Sequence, residues 1–159
     1  MADSIRQKIV DAVKARLQGI LVSGGYQTDV GANVFVWKGA DFAADELPAC
    51  DVRDVRDDID NTVVSTRREH HRLTFEVAVA VADGTDSMKT ARKAIADVYQ
   101  AIGVDRLWTV SGTRLAFDTE LKSDESGIEQ RETTLAGAKI TFVVSYRTAA
   151  FDPYTNHNT

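Results

Sequence analysis

Apolar residues return every three or four positions between Ser4 and Leu21, where Ile5, Ile9, Val10, Val13, Leu17, Ile20 and Leu21 share one face of a helix. Asp3 or Ser4 can accept from the free N–H groups of its first turn, and Ser23-Gly24-Gly25 supplies residues that tolerate a left-handed stop. The period then shortens. Asn33 to Trp37 is β-branched and aromatic and predicts a first strand, whereas Lys38 to Glu46, with Gly39 and three acids, has no period and reads as a loop. Pro48 has no N–H for a ladder and suits a strand entry, after which Cys50, Val52 and Val55 roughly alternate with charged residues. Asp57 to Arg68 is dominated by charge and hydroxyls and predicts a long, solvated hairpin tip, into which Val63-Val64 can extend the ladder.

Alternation is strictest where Leu73, Phe75, Val77, Val79 and Val81 oppose Thr74, Glu76, Ala78, Ala80 and Ala82. This predicts a strand with one buried face, and the small alanines suggest that a helix or a neighbouring subunit partly covers the other. Asp83-Gly84 closes it. Thr85 or Asp86 caps a second helix, whose Met88, Ala91, Ile95, Val98, Tyr99 and Ile102 share a face before Gly103 stops it. Leu115, Phe117, Thr119 and Leu121 then alternate, Ser123 to Gly127 reads as a turn, and Ala136, Ala138, Ile140, Phe142, Val144 and Tyr146 alternate again. Ala149 to Thr159 has no period and is expected to be a loosely held tail. The predicted class is α+β: a single domain over residues 1–148, with an antiparallel or mixed sheet of about five strands, two helices packed on one face, and the order αβββαββ.

A chain of 159 residues suits one core, and a domain of this size needs neither disulfide nor metal to be stable. The lone cysteine, Cys50, excludes an intrachain disulfide and fits a reducing compartment. The N-terminus lacks the basic-then-apolar layout of a secretory signal, and the strongest apolar run, Ile140 to Val144, is strand-sized, so neither export nor membrane insertion is expected. The net charge of −5 is spread through the chain, which argues against gripping nucleic acid by a broad basic face.

Candidate chemistry is sparse. In Glu69-His70-His71 the adjacent histidines of an extended segment point to opposite faces and do not converge on one ion. Asp58, Asp60 and Glu69 hold the first, third and last positions of a calcium loop, but Val63 stands where the sharp turn needs glycine. Cys50 has no local base to activate it and reads as a small core residue. Trp37 and Trp108 read as core or interface anchors. Arg67, Arg68 and Arg72 form a basic cluster beside Asp57, Asp58 and Asp60 and read as a solvated or salt-paired strand end. No catalytic, cofactor or metal site is expected, and no enzymatic activity.

A pattern remains in the order of segments. The leading amphipathic helix, Gly25-Tyr26-Gln27-Thr28 after it, and Asp45-Glu46-Leu47-Pro48-Ala49 entering a strand resemble the tail terminator family of siphophages and myophages. So do the strand from Leu73 to Val81, the second helix, the acidic Asp124-Glu125, and the final Ala136-Gly137-Ala138-Lys139-Ile140-Thr141-Phe142-Val143-Val144-Ser145-Tyr146. The resemblance implies a subunit that forms a homo-hexameric ring on the last ring of the tail tube, stops polymerisation and offers a head-joining surface. It implies as partners the subunit itself, the tail tube protein and head-completion or neck proteins, with DNA met only in passage through the lumen. The location implied is the virion tail, assembled in the host cytoplasm. The family carries no catalytic residues. For the subunit or tube interface the candidates are Asp57, Asp58, Asp60, Arg67 and Arg68, since opposite charges on a projecting loop can set the register of a neighbour. Other readings are a different head-to-tail connector or neck protein, and a small ligand-binding or enzymatic α+β domain.

Overall fold

A computed structural model describes residues 1–60, 67–82, 85–130 and 134–158. The expected ladder extension at Val63-Val64 and strand closure at Asp83-Gly84 lie outside the described residues. The elements are α1 (Ile5–Gln18), β1 (Val34–Val36), β2 (Ala49–Asp60), β3 (Arg68–Ala82), α2 (Ser87–Gly103), β4 (Thr109–Val110), β5 (Thr113–Arg114), β6 (Asp118–Gln130), β7 (Thr134–Ala149) and β8 (Asp152–Asn156). The fold is α+β, with two helices and a mixed sheet of six strands. The sheet runs β1-β2-β3-β7-β6, with β8 also on β7; among the described residues only β1–β2 is parallel, and β4–β5 is a separate small hairpin.

The core is the product of the two periodicities. Leu73, Phe75, Val77, Val79 and Val81 of β3 point to the same side as Ile140, Phe142, Val144 and Tyr146 of β7, and all are buried. Phe75 and Phe142 face each other in register with stacked rings 5.1 Å apart. Ile5, Ile9, Val13 and Leu17 of α1 and Ala91, Ala94, Val98 and Ala101 of α2 close the same core. Ser4 caps α1 by accepting from the Gln7 N–H at 3.2 Å, and Asp86 caps α2 by accepting from Lys89 N–H at 3.0 Å. The first helix ends at Gly19, earlier than Ser23-Gly24-Gly25 suggests; that segment instead forms a 3-10 turn closed by Gly25 at φ 94°. The chain then passes back so close to α1 that a Cβ on Gly31 would lie 2.3 Å from the Leu17 carbonyl oxygen.

Two expectations are corrected. The polar run Ser123 to Gly127 is not a turn but the middle of β6, because its backbone bonds to β7 in continuous register from Ser123↔Thr141 to Gly127↔Gly137. Of the segment expected to be loose, residues 152–158 are held: β8 pairs with β7, and Asn158 is buried, accepting from Arg147 N–H at 2.6 Å and donating to its carbonyl oxygen at 3.1 Å; Thr159 lies outside the described residues. Part of the second sheet face, on the β1–β2 side, is covered by the loop between Lys38 and Glu46. Lys38 N–H donates to Asp51 at 2.9 Å, Lys38 Nζ pairs with Glu46 at 3.0 Å, and Phe42 packs 6.1 Å from Phe35, which buries Asp51 over the β1–β2 side.

Candidate interaction surfaces

The five residues expected at an exposed hairpin tip divide. Asp57, Asp58 and Asp60 belong to β2, Arg68 begins β3, and Arg67 sits in the turn just before it. Asp57 is turned inward, a correction to its expected exposure. Its register partner is the core residue Leu73, and its Oδ2 accepts from the Tyr146 hydroxyl at 2.5 Å and lies 3.2 Å from His71 Nδ1. Asp58 is half exposed and paired with Arg56 Nε at 2.8 Å. Asp60 is partly buried at the strand end beside its register partner His70. Arg67 and Arg68 are exposed, and the Arg67 carbonyl accepts from Ala150 N–H at 3.1 Å. Among the described residues Asp57 is drawn into the sheet, whereas Asp58, Arg67 and Arg68 remain exposed, the arginines beside the β7–β8 turn.

The adjacent histidines serve opposite faces. His71 stacks on Tyr146 at 4.5 Å on the core side, while His70 meets Phe117 edge-on at 5.9 Å. Burial, then the nearby Arg147 charge, holds the His70 imidazole below its ordinary pKa. His71 Nε2 lies 3.2 Å from Thr148 Oγ1, so Asp57, His71 and Thr148 are spaced like a carboxylate–imidazole–hydroxyl relay. Thr148, however, is only 1% exposed, and its hydroxyl has no approach for a substrate. Burial and the adjacent Asp57 carboxylate push the Tyr146 phenol far above its ordinary value, so it serves as a fixed donor. This cluster ties the far ends of β2, β3 and β7 together. Among the described residues no three His, Cys, Asp or Glu side chains converge to hold a metal ion, and Glu69 is engaged by the Phe151 N–H at 3.0 Å.

Cys50 is fully buried, its thiol is directed at the Val30 carbonyl oxygen at 3.3 Å, and burial pushes its pKa up to about 12. Trp108 is a core residue, with its indole N–H on Thr119 at 2.9 Å and Arg16 stacked 4.1 Å over the ring. Trp37 is half exposed and donates to Asp54 at 2.7 Å. The largest omission of the sequence reading is Asp97. It is 1% exposed on the core side of α2, where its carboxylate accepts from Gln27 N–H, Thr28 N–H at 2.8 Å and the Thr28 hydroxyl at 2.6 Å. The Gly25–Thr28 segment is thus positioned by a side chain about 70 residues away.

Two further surface features stand outside the expectations, an exposed aromatic ring and a groove lined by both apolar and charged residues. Phe151, in the β7–β8 turn, is 96% exposed. A groove of about 490 Å³ lies near the other end of the sheet, between the loop at Phe42 and strand β6. The Asp152-Pro153 dipeptide marks a turn in the sequence, but nothing there says that the neighbouring aromatic ring is left uncovered.

No protein-family model matches the chain. No curated protein matches it either. Among the described residues no helix is long and apolar enough to cross a membrane.

Proposed function

We propose that this chain is a non-enzymatic ring subunit of the tail terminator kind, which caps a phage tail tube, stops its growth and presents a surface to head-completion or neck proteins. The observation that carries the reading is the length and exposure of the strands. Strands β2, β3, β6 and β7 have 12, 15, 13 and 16 residues, at least twice the usual length of about five or six. The outer strand β6 exposes every side chain from Leu121 to Ile128. Long hairpins with charged edges suit lateral contact between copies more than they suit enclosing a substrate. The groups with most chemical potential, Asp57, His71, Asp97 and Cys50, are bonded internally. The resemblance in segment order adds the identity of the tube as the surface to be capped.

The test combines light scattering of the purified protein, alone and with tubes assembled from the tube protein of the same genome, with electron microscopy of the tube ends. A closed ring of about six copies seated on the tube end, together with arrested growth, is the expected result. A protein that neither binds tube ends nor limits their length overturns the reading. Binding to a head-side ring instead, without affinity for tubes, identifies a neck or connector subunit.

A further inference from the structure

We propose that the outer face of α2 binds the phosphate backbone of duplex DNA through Lys89, Arg92 and Lys93, without reading the base sequence. The helix packs Ala91, Ala94, Val98 and Ala101 on the core and leaves Lys89, Arg92, Lys93, Ala96 and Gln100 exposed. At about 3.6 residues per turn, these exposed positions fall within an arc of roughly 100°. Lys89 and Lys93 are one turn apart, about 6 Å along the axis, so three cations crowd one stripe. Like charges four positions apart repel and weaken a helix.

Nothing within α2 offsets that repulsion. Asp97, the acid of this helix, lies on the buried side, where the Gln27 and Thr28 donors occupy its carboxylate. Among the described residues no acid pairs with the side chains of Lys89, Arg92 or Lys93. Cations elsewhere are matched: Arg53 with Asp51, Arg72 with Glu120, Arg106 with Asp118 and Lys139 with Glu76. In a chain of net charge −5 the bare stripe is a local excess of positive charge, which a polyanion neutralises.

The composition of the stripe selects the polyanion. A protein partner is held by aromatic or aliphatic anchors at the centre of the contact, and here the cations are followed by Ala96 and Gln100. Single-stranded nucleic acid stacks its bases on exposed rings. Tyr99, the aromatic residue of α2, instead packs against the core and donates its hydroxyl to Asp124. Duplex DNA keeps its bases stacked and presents one negative charge per about 1.7 Å of axis, so several phosphates fall within reach of three long side chains. Base readout needs several side chains at base edges, and Gln100 alone adds a polar group to the stripe, so the contact positions the duplex without specifying its sequence. The stripe is narrow, so binding is weak and falls steeply with salt. The inference is independent of the ring reading.

Fluorescence anisotropy of a labelled duplex of about twenty base pairs, titrated with the full chain between about 20 and 100 mM NaCl, tests it. Three phosphate contacts give a log–log salt slope of about −2.7, roughly an eighty-fold loss of affinity over that range. K89Q, R92Q and K93Q should each make the slope shallower by about 0.9, and the triple variant should lose binding. Glutamine is a good helix former and all three positions are exposed, so the fold is kept. K8Q, at an exposed cation of α1, is the control for net charge and should leave the slope unchanged. Duplexes of unrelated sequence should bind alike. A wild type that ignores DNA at the lowest salt, a triple variant that binds as the wild type does, or a slope altered as much by K8Q overturns the proposal. So does a single strand bound more tightly than the duplex, or displacement of the duplex by polyglutamate of equal charge, which identifies an acidic protein as the partner. DNA binding by a protein indifferent to tubes sinks the ring reading alone; tube capping without DNA binding sinks this inference alone.

Discussion

Replacing Asp97 with alanine removes one carboxylate and leaves three donors without an acceptor: the N–H groups of Gln27 and Thr28 and the Thr28 hydroxyl. Asp97 and Thr28 are both buried, at 1% and 6% exposure, so water does not take over the two Thr28 donors without the loop opening, whereas Gln27 is exposed and its N–H is the cheaper loss. A buried donor stripped of its partner costs about 1–3 kcal/mol, and the three share one acceptor, so their losses are not additive. A destabilisation of about 3–5 kcal/mol is expected for Asp97→Ala, a large share of the roughly 5–15 kcal/mol that holds a domain together. For a chain of 159 residues this lowers the melting temperature by roughly 6–20 °C, at about 2–4 °C per kcal/mol. Asp97→Asn keeps the volume and one acceptor oxygen but turns an NH2 group toward the remaining donors, so it should fall between alanine and wild type. Urea unfolding measures the free energy. Hydrogen exchange locates it, with the Gln27 and Thr28 amides losing protection first. A loss below about 1 kcal/mol in Asp97→Ala, or unchanged protection of those two amides, refutes the account of Asp97 as the anchor of this loop.

Gly31→Ala places a methyl group 2.3 Å from the Leu17 carbonyl oxygen and 2.7 Å from that of Ile20. The backbone must shift, and thermal melts should show a loss of about 2 kcal/mol or more. Cys50 titrates in the folded protein at about 12, above its ordinary 9.0. The unfolded chain therefore releases this proton first, so the contribution of the thiol to stability is full below pH 9 and lost as pH rises toward 12. Denaturant midpoints across that window should fall less steeply in Cys50→Ala than in the wild type, and the native thiol should resist alkylation at pH 8. Reversing Arg67 and Arg68 to Glu should weaken ring assembly in light scattering, since both flank the exposed turn; unchanged assembly removes this end of the sheet from the interface.

What the sequence determines by itself is set by neighbours a few residues apart. The three-to-four spacing of Ile5, Ile9, Val13 and Leu17, the strict alternation from Leu73 to Val81, and the caps at Ser4 and Asp86 are local instructions, and the α+β class follows from them. Partnerships across the chain are different. Ser123 to Gly127 reads as a turn on its own and is a strand because β7 offers a complete ladder beside it. Asp57 reads as a solvated charge and is drawn inward by His71 and Tyr146, which lie 14 and 89 residues away. Asp97 breaks the apolar pattern of α2 for the sake of a loop, and Phe151 stays outside because none of the described residues covers it. Periodicity records which side of an element meets the core, since that is a property of the backbone's own repeat. Which donor meets which acceptor, and which surface is left bare, depends on where distant segments come to rest, and only the tertiary structure decides that.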